Sequence, residues 1–379
     1  MTVPQTNQVA GGPRQPSTVR KPATVVGRAA SLFGGQNLSL LVALAALFVW
    51  LTVEKGSIFL TGGNMVNIGV SVTQLGLLAL PETLVLLSGG IDISLGSTVG
   101  VSSVVAALVA AQGLSISTTA LAIAAAVAVG GACGLFNAVM ITIGRVNPFI
   151  VTLGTYTAYQ GVTYAVTGGQ STAVLDSSFN QINSQQVGGI PAPVIIFLVV
   201  TALFALFTNY TDFGRNIYAL GGNRVAARLA GINTSRYIFG IYVVGGLVAG
   251  LTGVLLTAQQ GAGIPSSGAY NLSLEAITAV VLGGAALTGG SGTIIGTVLG
   301  VAILGVVQNG LLILNVNPLY QPIPQGLLLV LAVLIQQWRG QIHLPIRLQK
   351  SSSQGPRSSA VGGAGTSAGT DPEANKPIP

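Results

Sequence analysis

The chain is 379 residues long, half of them hydrophobic, and only 6% carry a charge, where a soluble domain carries about 25%. A mean hydropathy of +0.73 leaves too little polar surface for a water-soluble fold, so the composition defines an integral membrane protein. The formal net charge of +7 reflects topology and not nucleic-acid binding, because the basic residues are scattered and lack interleaved aromatics.

Residues 1–37 are polar, Pro-containing and basic, with no short apolar core followed by a small-residue cleavage site, and are expected to be a disordered cytoplasmic tail ahead of an uncleaved first span. A membrane helix needs about 20 predominantly apolar residues. Ten stretches qualify as an all-α permease domain over 38–338: 38–53, 65–88, 96–112, 118–143, 149–166, 193–210, 237–259, 273–288, 293–314 and 323–338. Pro81-Glu82 is expected to break or kink the second of them. Residues 339–379, rich in Gly, Ser, Ala and Pro, are expected to be a largely disordered cytoplasmic tail.

Charge gives the orientation. Collecting alternate connections from the N-terminal tail onward places 14 of the 15 basic residues on one side and leaves only Lys55 on the other. By the positive-inside rule both termini face the cytoplasm, and an odd number of spans would spoil the segregation. Trp50 and Trp338 fall at span ends, where indoles anchor at the interface.

Chemistry is sparse. The single cysteine, Cys133, lies inside an apolar run and reads as a packing residue; the single histidine, His343, follows the last span. Leu87-Ser88-Gly89-Gly90 shares its letters with a nucleotide-gripping signature, but no Gly-rich turn in the chain is followed by Lys and Ser/Thr, as a phosphate loop requires. No metal-ligand or nucleophile constellation is present, and no cofactor is expected in this chain.

The most informative polar segment is 211–236. Asn223 is a good N-cap, Arg224 to Ala230 are mostly helix formers and Gly231 is a natural stop. These residues predict a two-turn cytoplasmic helix, too short to persist alone, with Arg224 and Arg228 on one face. Such a helix suits docking into another protein's groove; a solvated connector is the plain alternative.

GGIDISLGS (89–97), RVNPFIVTLGT (145–155), GRNIYALGGNRVAARLAGI (214–232) and AITAVVLGGAALTGGSGTIIGTVLG (276–300), in that order, resemble the ribose/xylose-type sugar ABC transporter permeases over residues 35–338. The resemblance implies a ten-span inner-membrane subunit that pairs with a second permease, a homodimer being the simplest case, and stands on two ATP-binding subunits that hold ATP and magnesium. It also implies sugar delivery by a periplasmic binding protein. The family's coupling helix maps onto Gly221, Gly222, Asn223, Ala226, Ala227, Gly231 and Ile232, with Arg224 and Arg228 on its edge. Two positions depart from the family pattern: Arg224-Val225 replaces a common acidic residue, and Pro81-Glu82 replaces Gly and then Met or Gln.

Ionisable residues within spans are costly and are functional candidates by default. Glu82 is expected either to line a cavity or to bond the broken backbone, and Glu275 to face headgroups or water at the periplasmic end. Gly89 and Gly90 are expected to let two spans approach at the cytoplasmic end, with Asp92 capping the next helix; a place for Asp92 on the solute path is the competing reading. The expected function is ATP-driven import of a monosaccharide. Import of a nucleoside or branched-chain amino acid, ion-coupled transport and a membrane enzyme are the alternatives.

Overall fold

The computed structural model describes residues 35–113, 116–174, 177–267 and 270–341. His343 and most of both predicted tails lie outside them. The regular structure of the described residues is helical, apart from two minimal two-stranded pairings.

In chain order the helices are α1 (Gly35–Phe59), α2 (Gly62–Leu87), α3 (Leu95–Ala110), α4 (Ile116–Thr142), α5 (Pro148–Thr167), α6 (Ser177–Ser184) and α7 (Ala192–Tyr210). There follow α8 (Asp212–Gly222), α9 (Arg224–Leu229), α10 (Thr234–Gln260), α11 (Tyr270–Leu282), α12 (Ile294–Ile313) and α13 (Pro322–Gln341). Six of these, α1, α2, α4, α7, α10 and α12, are long and apolar enough to cross a membrane. The other four predicted stretches overlap helices: α3, α11 and α13 have shorter apolar runs, and α5 is interrupted by Thr, Tyr and Gln side chains.

α2 is the axis of the molecule. Every residue from Leu75 to Leu87 is buried, and α7, α10, α11 and α12 all pack on it. Of the break or kink expected at Pro81, the break does not occur: the helix continues to Leu87. Packing accounts for this, since Pro81 is itself buried and lies where a side chain on Gly245 of α10 would touch it. A membrane helix tolerates proline where neighbouring helices enclose the disturbed backbone.

α10 packs most closely along α4. Gly130 and Gly134 of α4 meet Gly246 and Gly250 of α10, and a Cβ on Gly130 would lie 2.4 Å from the Gly246 carbonyl oxygen. With no apolar driving force between helices in lipid, such small-residue contacts let backbones approach and gain dispersion energy.

The predicted span 273–288 ends early, because α11 stops at Leu282. Its 13 residues extend about 20 Å, and the 16 of α3 about 24 Å, against a hydrocarbon core of about 30 Å. Irregular segments before α3 and after α11 make up the difference. Backbone of this kind survives at membrane depth only when protein encloses it, and here several of its polar groups are paired within the protein. The Ala286 N–H donates to the Ser291 carbonyl at 2.9 Å and the Gly290 N–H to the Leu87 carbonyl at 3.0 Å. The Tyr218 hydroxyl donates to the Gly292 carbonyl at 2.8 Å.

Candidate functional site

Asn64 and Leu87 stand at opposite ends of α2, about 35 Å apart along the helix. The candidate functional residues gather at these two ends.

At the Leu87 end, three glycine pairs distant in sequence converge. Gly89, Gly289 and Gly290 have φ of +79°, +89° and +74°, a region that residues with a Cβ rarely enter. A Cβ on Gly289 would lie 2.9 Å from the Cα of Gly89, one on Gly290 would lie 2.8 Å from the Cα of Gly222, and one on Gly221 would lie 1.8 Å from the Leu87 carbonyl oxygen. The backbones of α2, α8 and the turn after α11 are therefore in direct contact. Gly90 stands against the Tyr242 hydroxyl of α10.

α9 hangs from this junction. The Asn223 side chain accepts from the Val225 and Ala226 N–H groups at 3.0 and 2.9 Å. At the other end Gly231 has φ +83°; its N–H reaches the Arg228 carbonyl, and the Ile232 N–H reaches that of Ala227, both at 3.0 Å. This paired closure with a left-handed glycine is the Schellman motif. Only Ala227 is buried, while Arg224, Ala226 and Arg228 are exposed. Val225 and Leu229, which sequence reasoning passed over, are 70% and 84% exposed and share a face at i,i+4.

Glu82 and Asp92 are fully buried together behind the junction. The Asp92 N–H donates to Glu82 Oε1 at 3.3 Å, so Glu82 bonds backbone, though not that of its own helix. Asp92 Oδ1 accepts from the Ser94 N–H at 2.8 Å and the Ser94 hydroxyl at 2.6 Å, and Asn137 Nδ2 donates to Ser94 Oγ at 2.7 Å. Asp92 thus closes a tight turn before α3 and does not cap the helix as expected. The free Gly96 N–H of the first turn is taken instead by Ser273 of α11, at 2.8 Å. Replacing Asp92 with asparagine preserves an acceptor for Ser94, whereas alanine leaves a buried N–H unmatched, at a cost of about 1–3 kcal/mol. In thermal melts of the purified protein the alanine variant is expected to unfold several degrees below the asparagine variant. Equal melting of the two would remove Asp92 from the turn's support.

At the Asn64 end lies a cavity of about 780 Å³. Its polar wall groups are mostly amides from separate elements: Asn64 and Asn67 of α2, Gln259 of α10, Gln308 and Asn309 of α12, and Gln325 of α13. Asn183, Gln186 and Gln321 join them, with the hydroxyls of Ser71 and Ser184 and the single carboxylate of Glu275, and Val66, Val70, Pro191, Leu312 and Ile313 supply the apolar part of the wall. Asn64 and Asn309 exchange two hydrogen bonds, at 3.1 and 2.7 Å, and Gln308 Nε2 donates to Glu275 Oε2 at 3.0 Å. No basic or aromatic side chain is among the lining residues. Gly89, Gly90, Glu82 and Asp92 do not line this cavity. The sequence carries no signal for which polar residues of the spans share a wall.

Residues 64–333 match the family described as "Branched-chain amino acid transport system / permease component". The chain is similar to the ribose import permease protein RbsC of Bacillus subtilis, with 36% identity over 80% of this chain and 93% of that protein. It is similar also to the L-arabinose ABC transporter permease protein AraH of Azospirillum brasilense, with 37% identity over 74% of this chain and 82% of that one. A third relative is the D-allose transport system permease protein AlsC of Escherichia coli, 34% identical over 79% of this chain and 90% of the relative. No solved structure matches the chain. The chain belongs to this family of ABC importer permeases: it is a multi-pass transport subunit of the bacterial inner membrane and not an enzyme.

Proposed function

We propose that the chain is the membrane subunit of an ATP-driven importer for a neutral monosaccharide of the ribose, arabinose or allose kind. The observation that carries this reading is the amide-lined cavity. Amide and hydroxyl groups both donate and accept, which matches a solute bristling with hydroxyls. Its lack of a basic side chain disfavours the amino-acid alternative, because a free α-carboxylate wants a cationic or multiple N–H partner. Its lack of aromatic platforms suits brief passage over tight retention.

In this reading α1–α5, α7 and α10–α13 are the ten spans, both termini are cytoplasmic and the cavity opens to the periplasm. Support comes from the helices found over all ten predicted stretches and from the basic residues Arg145, Arg215, Arg224, Arg228 and Arg236, which all belong to connections at the Leu87 end. α9, held on the glycine junction, docks on a separate ATPase that binds ATP and magnesium, and a periplasmic binding protein delivers the sugar. A second permease subunit completes the path. Exposed apolar side chains on α5 and α7, such as Ile150 and Leu198, face lipid or that second copy.

Reconstituted with a cognate ATPase and binding protein, the chain is expected to accumulate labelled D-ribose, L-arabinose or D-allose in an ATP-dependent manner, and not leucine. Leucine accumulation, or sugar accumulation driven by an ion gradient without ATPase, would overturn the reading.

A further inference from the structure

Glu275 is the one ionisable group in the wall of the cavity. It stands on the first turns of α11 and meets side chains of two other helices: Gln308 of α12 donates to it at 3.0 Å, and Gln325 of α13 bonds it as well. Both partners can present amide N–H donors, which is what an ionised carboxylate, able only to accept, requires. Two amides leave part of the carboxylate's capacity of about four lone-pair sites open to the cavity. No lysine, arginine or histidine among the lining residues offsets the charge.

We propose that Glu275 is a specificity-determining residue that makes the cavity an anion-rejecting filter. It accepts hydroxyl groups of uncharged polyols and repels sugar acids, sugar phosphates and other carboxylates of similar size. The assignment of the cavity as the solute's way in rests on the function proposed above; the charge effect itself does not. A fixed charge inside a walled cleft acts on every solute that enters it, because low-dielectric walls focus its field. At a separation of some 7 Å and an intermediate dielectric, the resulting bias between a cation and an anion is at least about fivefold.

The test measures that bias directly. A cysteine placed at Ser71, which lines the cavity and is exposed, is reacted with a trimethylammonium and a sulfonate methanethiosulfonate in membrane vesicles of either orientation. Cys133, the only native cysteine, is buried, and protein without the new cysteine supplies the blank. Should Ser71→Cys fold poorly, Gln186→Cys probes the same wall. Normalised to each reagent's rate with a free thiol, the cationic reagent is expected to react at least about fivefold faster, and Glu275→Gln to bring the ratio close to one. Equal normalised rates in the parent, or a ratio unmoved by Glu275→Gln, overturn the filter. Reaction only from the cytoplasmic side overturns the proposed orientation instead, and a failure to transport any neutral monosaccharide overturns the proposed function; in both cases the reagent ratio still decides the role of Glu275.

Discussion

Replacing Gly221 with alanine is expected to cost the permease most of its folded yield, while the same change at Gly222 leaves yield and melting temperature near those of the parent. The added methyl at Gly221 would lie 1.8 Å from the Leu87 carbonyl oxygen and 2.5 Å from the Gly290 nitrogen. Those two atoms are hydrogen-bonded to each other at 3.0 Å, so the methyl would sit on the bond that ties the turn after α11 to the end of α2. Both obstacles are backbone, and no side-chain rotation relieves the clash. Either α8 moves outward or the bond breaks. Overpacking of this kind costs about 1–3 kcal/mol or more, and the lost hydrogen bond adds about 0.5–1.5 kcal/mol. At Gly222 a Cβ would find no atom within 4 Å, and alanine is a better helix former than glycine. Size-exclusion profiles and thermal melts of the two variants decide the matter. A Gly221→Ala protein that melts with the parent would show that the junction yields easily.

The junction also marks the boundary of what could be read from the sequence. Asn223 and Gly231 announced α9 correctly because capping is local: the groups each satisfies lie within a few residues, at Val225, Ala226 and Ile232. The six long apolar helices were legible for a similar reason, since apolar length is a property of the segment alone. What could not be read is which distant glycines touch. Nothing in GGIDISLGS or in the 276–300 segment hinted that Gly289 would lie against Gly89. The cavity was hidden in the same way, because its amides come from helices far apart in the chain and each amide alone is an ordinary polar residue. The unbroken helix at Pro81 and the missing cap at Asp92 have a shared origin. Pro81 and Asp92 were judged by local rules for helix breaking and capping, and in each case a neighbouring helix changed the outcome: α10 encloses Pro81, and Ser273 of α11 takes the N–H that Asp92 was expected to hold.

At the exposed end of the junction, Leu229→Asp is expected to leave the permease folded but uncoupled. Leu229 is 84% exposed and Val225 is 70% exposed, so neither stabilises the isolated chain by packing. Large apolar side chains paired on an exposed helix outside the longest membrane segments point to a partner that covers them. Full burial of a leucine is worth about 1.5–3 kcal/mol, and a carboxylate forced into the same apolar contact adds a desolvation cost. Since about 1.4 kcal/mol is a factor of ten in affinity, ATPase docking should weaken at least about tenfold, and ATP-dependent uptake should fall with it. The double change Arg224→Glu/Arg228→Glu provides the contrast. Both arginines are exposed, and interactions of exposed charges are screened by salt. Its effect on ATPase co-purification should therefore fade as ionic strength rises, while that of Leu229→Asp persists. The melting temperature of the purified permease separates uncoupling from misfolding, because Leu229→Asp should not move it. If the Leu229→Asp protein retains its ATPase and its uptake at every salt concentration, α9 is a solvated connector and the coupling surface lies elsewhere.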